Sequence, residues 1–184
     1  QGFFDIPVDH LYAAPVMFEY LKTLDLGKQV VVVSPDTGGI KMAHAYSQLL
    51  HADLAIVAKR RMSDTETETI SVIGKVRDKT VVLVDDLTET AGTLVSAARI
   101  LRRRGAKRTI AVVSHAVLND LGIKRLRKSN IDELITTDTV PRPSFDGVKV
   151  TTCSVAGLLG EAIKRIHTNS SVTSLFEFDG IRIG

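Results

Sequence analysis

Two adjacent acids, Asp85 and Asp86, close an apolar run and are followed by Leu87-Thr88-Glu89-Thr90-Ala91-Gly92-Thr93 ahead of an amphipathic stretch. That order of residue types suits a sugar phosphate. Thr90, Gly92 and Thr93 would set hydroxyls and backbone N–H groups at a helix N-terminus, where unpaired amides and the helix dipole favour an anion. A phosphate monoester fits there without a lysine from the loop. The carboxylates upstream can accept hydrogen bonds from sugar hydroxyls or hold a divalent cation. Capping alone would account for one or two of these residues, because Asp, Glu and Thr are common at helix starts. It does not account for the whole string.

Two further segments have a comparable form. In Ser34-Pro35-Asp36-Thr37-Gly38-Gly39 the paired glycines let N–H groups approach an anion closely, and Asp36 is placed to bind Mg²⁺ bridging pyrophosphate oxygens. An ordinary strand-to-helix turn would carry the same residues. Lys59-Arg60-Arg61 precedes the polar stretch Ser63-Asp64-Thr65-Glu66-Thr67-Glu68-Thr69. Alone it reads as a solvated basic run. Placed after a strand, it is consistent with a lid whose cations neutralise charge on a transferred group.

The elements that must position these segments follow from hydrophobic periodicity. Short apolar runs predict strands at Val30–Val33, Asp53–Val57, Ile70–Gly74, Thr80–Val84, Arg108–Ser114, Glu133–Thr136 and Val148–Thr152. Helical patterns cover Gly39 to about Leu50, Ala91–Arg104, Val117–Lys128 and Val155–His167, with Pro141 and Pro143 in a loop. Continuous apolar strands alternating with helices predict an α/β fold, a mostly parallel sheet flanked by helices. In such sheets ligands sit beyond the carboxyl ends of strands. The segments leaving strands in that sense are Ser34–Gly39, Lys59–Glu68 and Asp85–Thr93.

At 184 residues and 44% hydrophobic content the chain can build one substantial core. A net charge of +3 is compatible with small anionic substrates. Arg102, Arg103, Arg104, Lys107 and Arg108 read as helix-end cations complementing the dipole. No aromatic platform accompanies them, so no nucleic acid partner is expected. No apolar run is long enough to cross a bilayer, so no membrane is expected either. The single Cys153 cannot form an internal disulfide, which fits a reducing, cytoplasmic setting, and it reads as small apolar filling. His115 and His167 read as structural or surface residues.

The string Val81-Val82-Leu83-Val84-Asp85-Asp86-Leu87-Thr88-Glu89-Thr90-Ala91-Gly92-Thr93 resembles the phosphoribosyl-pyrophosphate motif of type I phosphoribosyltransferases and ribose-phosphate pyrophosphokinases. Other segments resemble the pyrophosphokinase family in order along the chain. They are Gln1 to Asp9, Val33 to Gly39, Ala55 to Arg61, Glu161 to His167 and Ser171 to Phe176. The resemblance implies a type I phosphoribosyltransferase-like fold with a flexible hood loop, corresponding to the C-terminal half of the family's chain. On this reading residues 13–166 form the domain. Segments 1–12 and 167–184 are expected to pack on an N-terminal domain absent from the chain.

The implied activity transfers the pyrophosphoryl group of Mg·ATP to the anomeric hydroxyl of ribose 5-phosphate, giving phosphoribosyl pyrophosphate and AMP. The resemblance assigns Lys59 and Arg61 to catalysis, with Arg61 also contacting the ribose phosphate. Asp85, Asp86, Glu89, Thr90, Ala91, Gly92 and Thr93 would hold ribose 5-phosphate. Asp36, Thr37, Gly38 and Gly39 would hold pyrophosphate. Asp36, Asp5 and Asp9 are the implied metal ligands, Ser171 and Thr173 part of an allosteric site, and self-association from dimers to hexamers is expected. The family usually carries Asp where this chain has Glu89, one methylene longer. A nucleobase phosphoribosyltransferase, or a catalytically silent regulatory subunit, would share the first loop.

Overall fold

The computed structural model describes residues 2–60, 69–141, 147–178 and 181–182, with the backbone alone described for Lys59, Arg60, Thr69, Ile70, Phe178, Ile181 and Arg182. The valine- and isoleucine-rich runs form β1 (Val30–Ser34), β2 (Asp53–Arg60), β3 (Thr69–Ile73), β4 (Thr80–Thr88), β5 (Arg108–Ala116), β6 (Glu133–Thr137) and β7 (Val150–Cys153). They pair as one sheet in the order β3-β2-β1-β4-β5-β6-β7, parallel throughout except that β3 returns antiparallel along β2. The α/β expectation therefore holds.

Side chains alternate across the sheet and fill two cores. Val31, Val33, Val81, Leu83, Ala111 and Val113 face α3 (Gly92–Arg103) and α4 (Asp120–Arg127). Val32, Val82, Val84, Ile110, Val112 and Ile135 face α1 (Ala14–Thr23) and α2 (Ile40–Leu49). Continuous apolar strands are thus buried on both faces, as parallel sheets require. The last helix, α5 (Ala156–His167), buries Ala162 but leaves Leu159, Ile163 and Ile166 exposed. A 3₁₀ turn (Thr173–Phe176) and a two-strand ribbon, β8 (Glu177–Phe178) and β9 (Ile181–Arg182), follow it.

Several boundaries differ from expectation. Helix α1 was not anticipated; Pro15 opens it, and Met17, Phe18 and Leu21 bury its inner face. Strand β4 continues past the expected end at Val84, because Leu87 pairs with His115 and Thr88 with Ala116 on β5. Asp85 and Asp86 consequently lie within the strand. Helix α4 starts at Asp120, not Val117, because the Asn119 side chain accepts the Gly122 N–H at 3.0 Å and caps it.

One charged residue is enclosed at the far side of the sheet from α3. Glu133 on β6 is 1% exposed. It accepts hydrogen bonds from Tyr20 of α1 (2.8 Å), Thr151 of β7 (2.8 Å) and Lys149 (2.7 Å). These bonds tie α1 to the sheet at the β6–β7 edge.

Candidate functional site

Strands β2, β1 and β4 are neighbours and parallel, so their carboxyl ends share one edge of the sheet. The chain builds outward through β2 on one side and through β5, β6 and β7 on the other. The reversal falls between β1 and β4, where an open α/β sheet leaves a crevice for ligand. Asp36 follows β1 and Asp85 ends the buried part of β4, one on each side of that crevice.

The Asp36 segment folds tightly on itself. Asp36 Oδ1 accepts the N–H groups of Gly38 (2.8 Å) and Gly39 (3.2 Å), while Ser34 Oγ donates to the Asp36 carbonyl at 2.7 Å. A Cβ on Gly39 would lie 2.8 Å from Ser34 Oγ, so a side chain there would turn that hydroxyl away from the Asp36 carbonyl. The amides that the sequence offered to an external anion are here taken by the loop's own carboxylate. Sequence spacing gave no sign of that closure.

The second segment is more open. Ala91 adopts a left-handed conformation (φ 51°, ψ 17°) immediately before α3, and no side chain from it caps the helix. A left-handed residue beside helical ones turns successive N–H groups toward one point, which is how backbone anion cradles form. For a residue with a Cβ this conformation costs about 1–2 kcal/mol, a strain of the kind that collects at binding sites. Helix capping by Thr90 or Thr93 is not what shapes this start.

Three residues that the sequence reading missed support the cradle from α4. The Asn119 N–H donates to the Glu89 carbonyl at 3.1 Å, and Arg125 Nη1 donates to the Thr90 carbonyl at 3.1 Å. A Cβ on Gly122 would fall 2.5 Å from the Glu89 carbonyl oxygen, so α4 can press on the loop only with glycine there. The longer Glu89 side chain is also engaged, its Oε1 accepting from Asn119 Nδ2 at 3.3 Å.

Burial pushes the Asp85 carboxyl up to about 6, and the nearby charges of Asp86 and Asp36 add to this against a lowering hydrogen bond from the Asp86 N–H. Its ionised form therefore opposes folding. Stability from this group falls as pH rises from the ordinary carboxylate range to about 6, then levels. Asp85→Asn should be more stable than the parent at neutral pH by about 1 kcal/mol, after allowance for partial exposure. Paired thermal melts should show that difference vanish below about pH 4.

Among the described residues no three His, Cys, Asp or Glu side chains converge as a metal cage. Asp5 and Asp9 are exposed on the N-terminal segment. Asp36 and Asp85 still offer hard oxygen donors across the crevice. That suits Mg²⁺, which usually takes one or two carboxylates and completes its shell with water and phosphate oxygens.

The Lys59 backbone lies on β2, paired with Ile70 of β3, and Arg61 lies outside the described residues. Ser171 and Thr173 are bonded to each other, Oγ to Oγ1 at 3.0 Å, and the Ser171 carbonyl accepts from Arg165 Nη1 at 3.1 Å. None of the helices among the described residues is long and apolar enough to cross a membrane.

Comparison with known proteins adds the lineage. Residues 60–177 match the family model described as "Phosphoribosyl synthetase-associated domain". A ribose-phosphate pyrophosphokinase of Gloeobacter violaceus is 47% identical over 180 residues, covering 96% of this chain and 53% of its own length. Ribose-phosphate pyrophosphokinase 1 of Listeria monocytogenes is 43% identical over 178 residues, covering 96% and 56% respectively. The chain thus spans about half the length of the curated relatives it matches. The crystal structure of phosphoribosylpyrophosphate synthetase from Mycobacterium smegmatis superposes with a TM-score of 0.83 at 35% identity, over 92% of this chain and 55% of that one.

Proposed function

Because the chain belongs to the ribose-phosphate pyrophosphokinase family, we propose that it supplies the ribose 5-phosphate and pyrophosphoryl sites of an ATP:ribose-5-phosphate pyrophosphotransferase. The observation that carries this reading is the left-handed turn at Ala91, which opens an uncapped helix start beside Asp85 and across the crevice from Asp36. The 5-phosphate takes the N–H groups and hydroxyls of Thr90 to Thr93, with Ala91 and Gly92 supplying backbone. Asp85 and Asp86 accept the ribose hydroxyls. Glu89 steadies the loop through Asn119 and reaches the sugar only by leaving that contact.

The anomeric hydroxyl then attacks the β-phosphorus of ATP in line and AMP leaves. Positioning and electrostatics carry most of such a transfer. Lys59 and Arg61 neutralise charge on the transferred group, Arg61 contacting the ribose phosphate as well. The Thr37, Gly38 and Gly39 backbone receives the pyrophosphoryl oxygens once Asp36 turns away from its own amides. Bound Mg²⁺ supplies charge neutralisation at the phosphate oxygens, and Asp36 is the residue that would hold it. Asp5 and Asp9 are assigned as cation ligands together with the remainder of the relatives' chain. That remainder is also what we place against Phe3, Phe4 and the α5 stripe, outside the 13–166 domain or at its border. Ser171 and Thr173 are assigned to a regulatory contact between subunits of a cytoplasmic homo-oligomer.

The chain alone tests the acceptor site. Ribose 5-phosphate should shift the backbone amide resonances of Gly92, Thr93 and Leu94 in ¹⁵N spectra, and Asp85→Asn should weaken its affinity. Gly122→Ala pushes the loop by its 2.5 Å clash with the Glu89 carbonyl. It should raise the ribose 5-phosphate Kd by about tenfold, equivalent to 1.4 kcal/mol. Unmoved amides at saturating ligand would remove the phosphate from this loop.

A further inference from the structure

We propose that Arg125 on α4 is a positioning residue of the phosphate cradle: its guanidinium fixes the Thr90–Ala91 peptide so that the Ala91 N–H faces the anion. The inference rests on the ribose 5-phosphate reading of this loop. It adds the side chain that sets the loop's shape before any ligand arrives.

Arg125 Nη1 donates to the Thr90 carbonyl at 3.1 Å, and one residue earlier the Glu89 carbonyl accepts the Asn119 N–H at 3.1 Å. Two successive carbonyls of the loop are thus drawn toward α4. No peptide bond among the described residues is cis, and in a planar trans peptide the C=O and N–H point in opposite directions. The Thr90 and Ala91 N–H groups consequently turn away from α4, side by side. Among the described residues neither makes a hydrogen bond. Consecutive free N–H groups on one side of the chain are what an anion cradle needs. The left-handed Ala91 (φ 51°) continues that curve into the start of α3.

Asn119, Gly122 and Arg125 recur every third residue, which puts them on one face of α4 and its cap. The Asn119 side chain accepts the Gly122 N–H and so fixes where that face begins. At Gly122 helix and loop meet backbone to backbone, since a Cβ there would fall 2.5 Å from the Glu89 carbonyl oxygen. Arg125 follows one turn later and is the one cation of the three. A Cβ on Gly92 would lie 3.2 Å from its Nη1, so the guanidinium rests against the first residue of α3 as well. A positive donor on the Thr90 carbonyl polarises that peptide and strengthens the Ala91 N–H toward an anion. The peptide stands between the guanidinium and the cradle, so Arg125 acts through the Ala91 N–H and not as a phosphate ligand. Held in this way, Ala91 keeps a backbone conformation that alanine seldom adopts.

Ribose 5-phosphate and inorganic phosphate are the probes, titrated into the full chain by calorimetry and ¹⁵N NMR. Arg125→Ala should raise both Kd values by the same factor, about tenfold. Its melting temperature should stay within about 2 °C of the parent, because the side chain is exposed. The Ala91 amide resonance should already move in the ligand-free variant, which loss of a direct phosphate contact would not produce. Guanidinium ion at millimolar, non-denaturing concentration should restore affinity to Arg125→Ala, and sodium at the same ionic strength should not. If the parent binds but Arg125→Ala binds within about twofold of it, the positioning role alone is overturned. An unmoved Ala91 resonance in the free variant overturns it equally. If the parent's Gly92 and Thr93 amides stay unmoved at saturating ligand, the ribose 5-phosphate reading fails and this inference with it.

Discussion

Lys59→Ala, made in a polypeptide that includes this chain and the remainder present in its relatives, should lower kcat for AMP formation by about 10²–10³. The KM for ribose 5-phosphate should change little. The reasoning starts from strand order. β2 lies beside β1 and parallel to it, so Lys59 leaves the sheet on the same edge as Asp36. In the proposed reaction the group in transit between ATP and the sugar is strongly anionic, and the charges of Asp36, Asp85 and Asp86 have the wrong sign to stabilise it. A cation is needed, and the basic run that closes β2 supplies one from a strand beside β1. On the proposed reading, which holds ribose 5-phosphate from the β4 side, losing Lys59 removes an interaction made chiefly in the transition state. Such a loss appears in kcat and kcat/KM together. Steady-state kinetics with AMP detection decides it, and a kcat within about threefold of the parent would take Lys59 out of the transition state.

Glu133→Ala should destabilise the fold by about 2 kcal/mol, through the enclosed hydrogen bonds to Tyr20 and Thr151 that it breaks, since its ion-pair partner Lys149 is 61% exposed and stays solvated. It sits far from the crevice chemistry and should act through stability alone. The side chain is fully enclosed, and burial by itself would raise its carboxyl. Hydrogen bonds from Lys149, Tyr20 and Thr151 outweigh burial and hold it below the ordinary range. Truncation leaves the Tyr20 and Thr151 hydroxyls with only each other, 3.1 Å apart, and detaches α1 from β6. A depressed carboxyl contributes stability that is present above its unfolded value and is lost as pH falls through its folded value. The gap between parent and variant in urea melts should therefore be full at pH ~7 and shrink in strong acid. Equal stability at neutral pH would mean that α1 holds to the sheet without this contact.

The sheet, and with it the edge to which we assign the chemistry, was readable because β1 and β4 are runs of valine and leucine that a doubly covered parallel strand explains. Asp36 and Asp85 were readable for the same reason, each standing where such a run meets polar residues. Gly122, Asn119 and Arg125 were not. They lie some thirty residues from the loop they brace, and their contact depends on how α4 docks, which local pattern does not encode. The Ala91 conformation was hidden because alanine rarely adopts it. Asp36 closing on Gly38 and Gly39 was hidden because the same residues serve an external anion or an internal carboxylate equally well.

The most direct measurement of the central claim is AMP release from Mg·ATP on addition of ribose 5-phosphate, using the longer polypeptide. We expect AMP and phosphoribosyl pyrophosphate in equal amounts, with none formed when ribose 5-phosphate is omitted. Absence of AMP, together with pyrophosphate released from phosphoribosyl pyrophosphate only when a nucleobase is supplied, would contradict the pyrophosphotransferase and identify a nucleobase phosphoribosyltransferase instead.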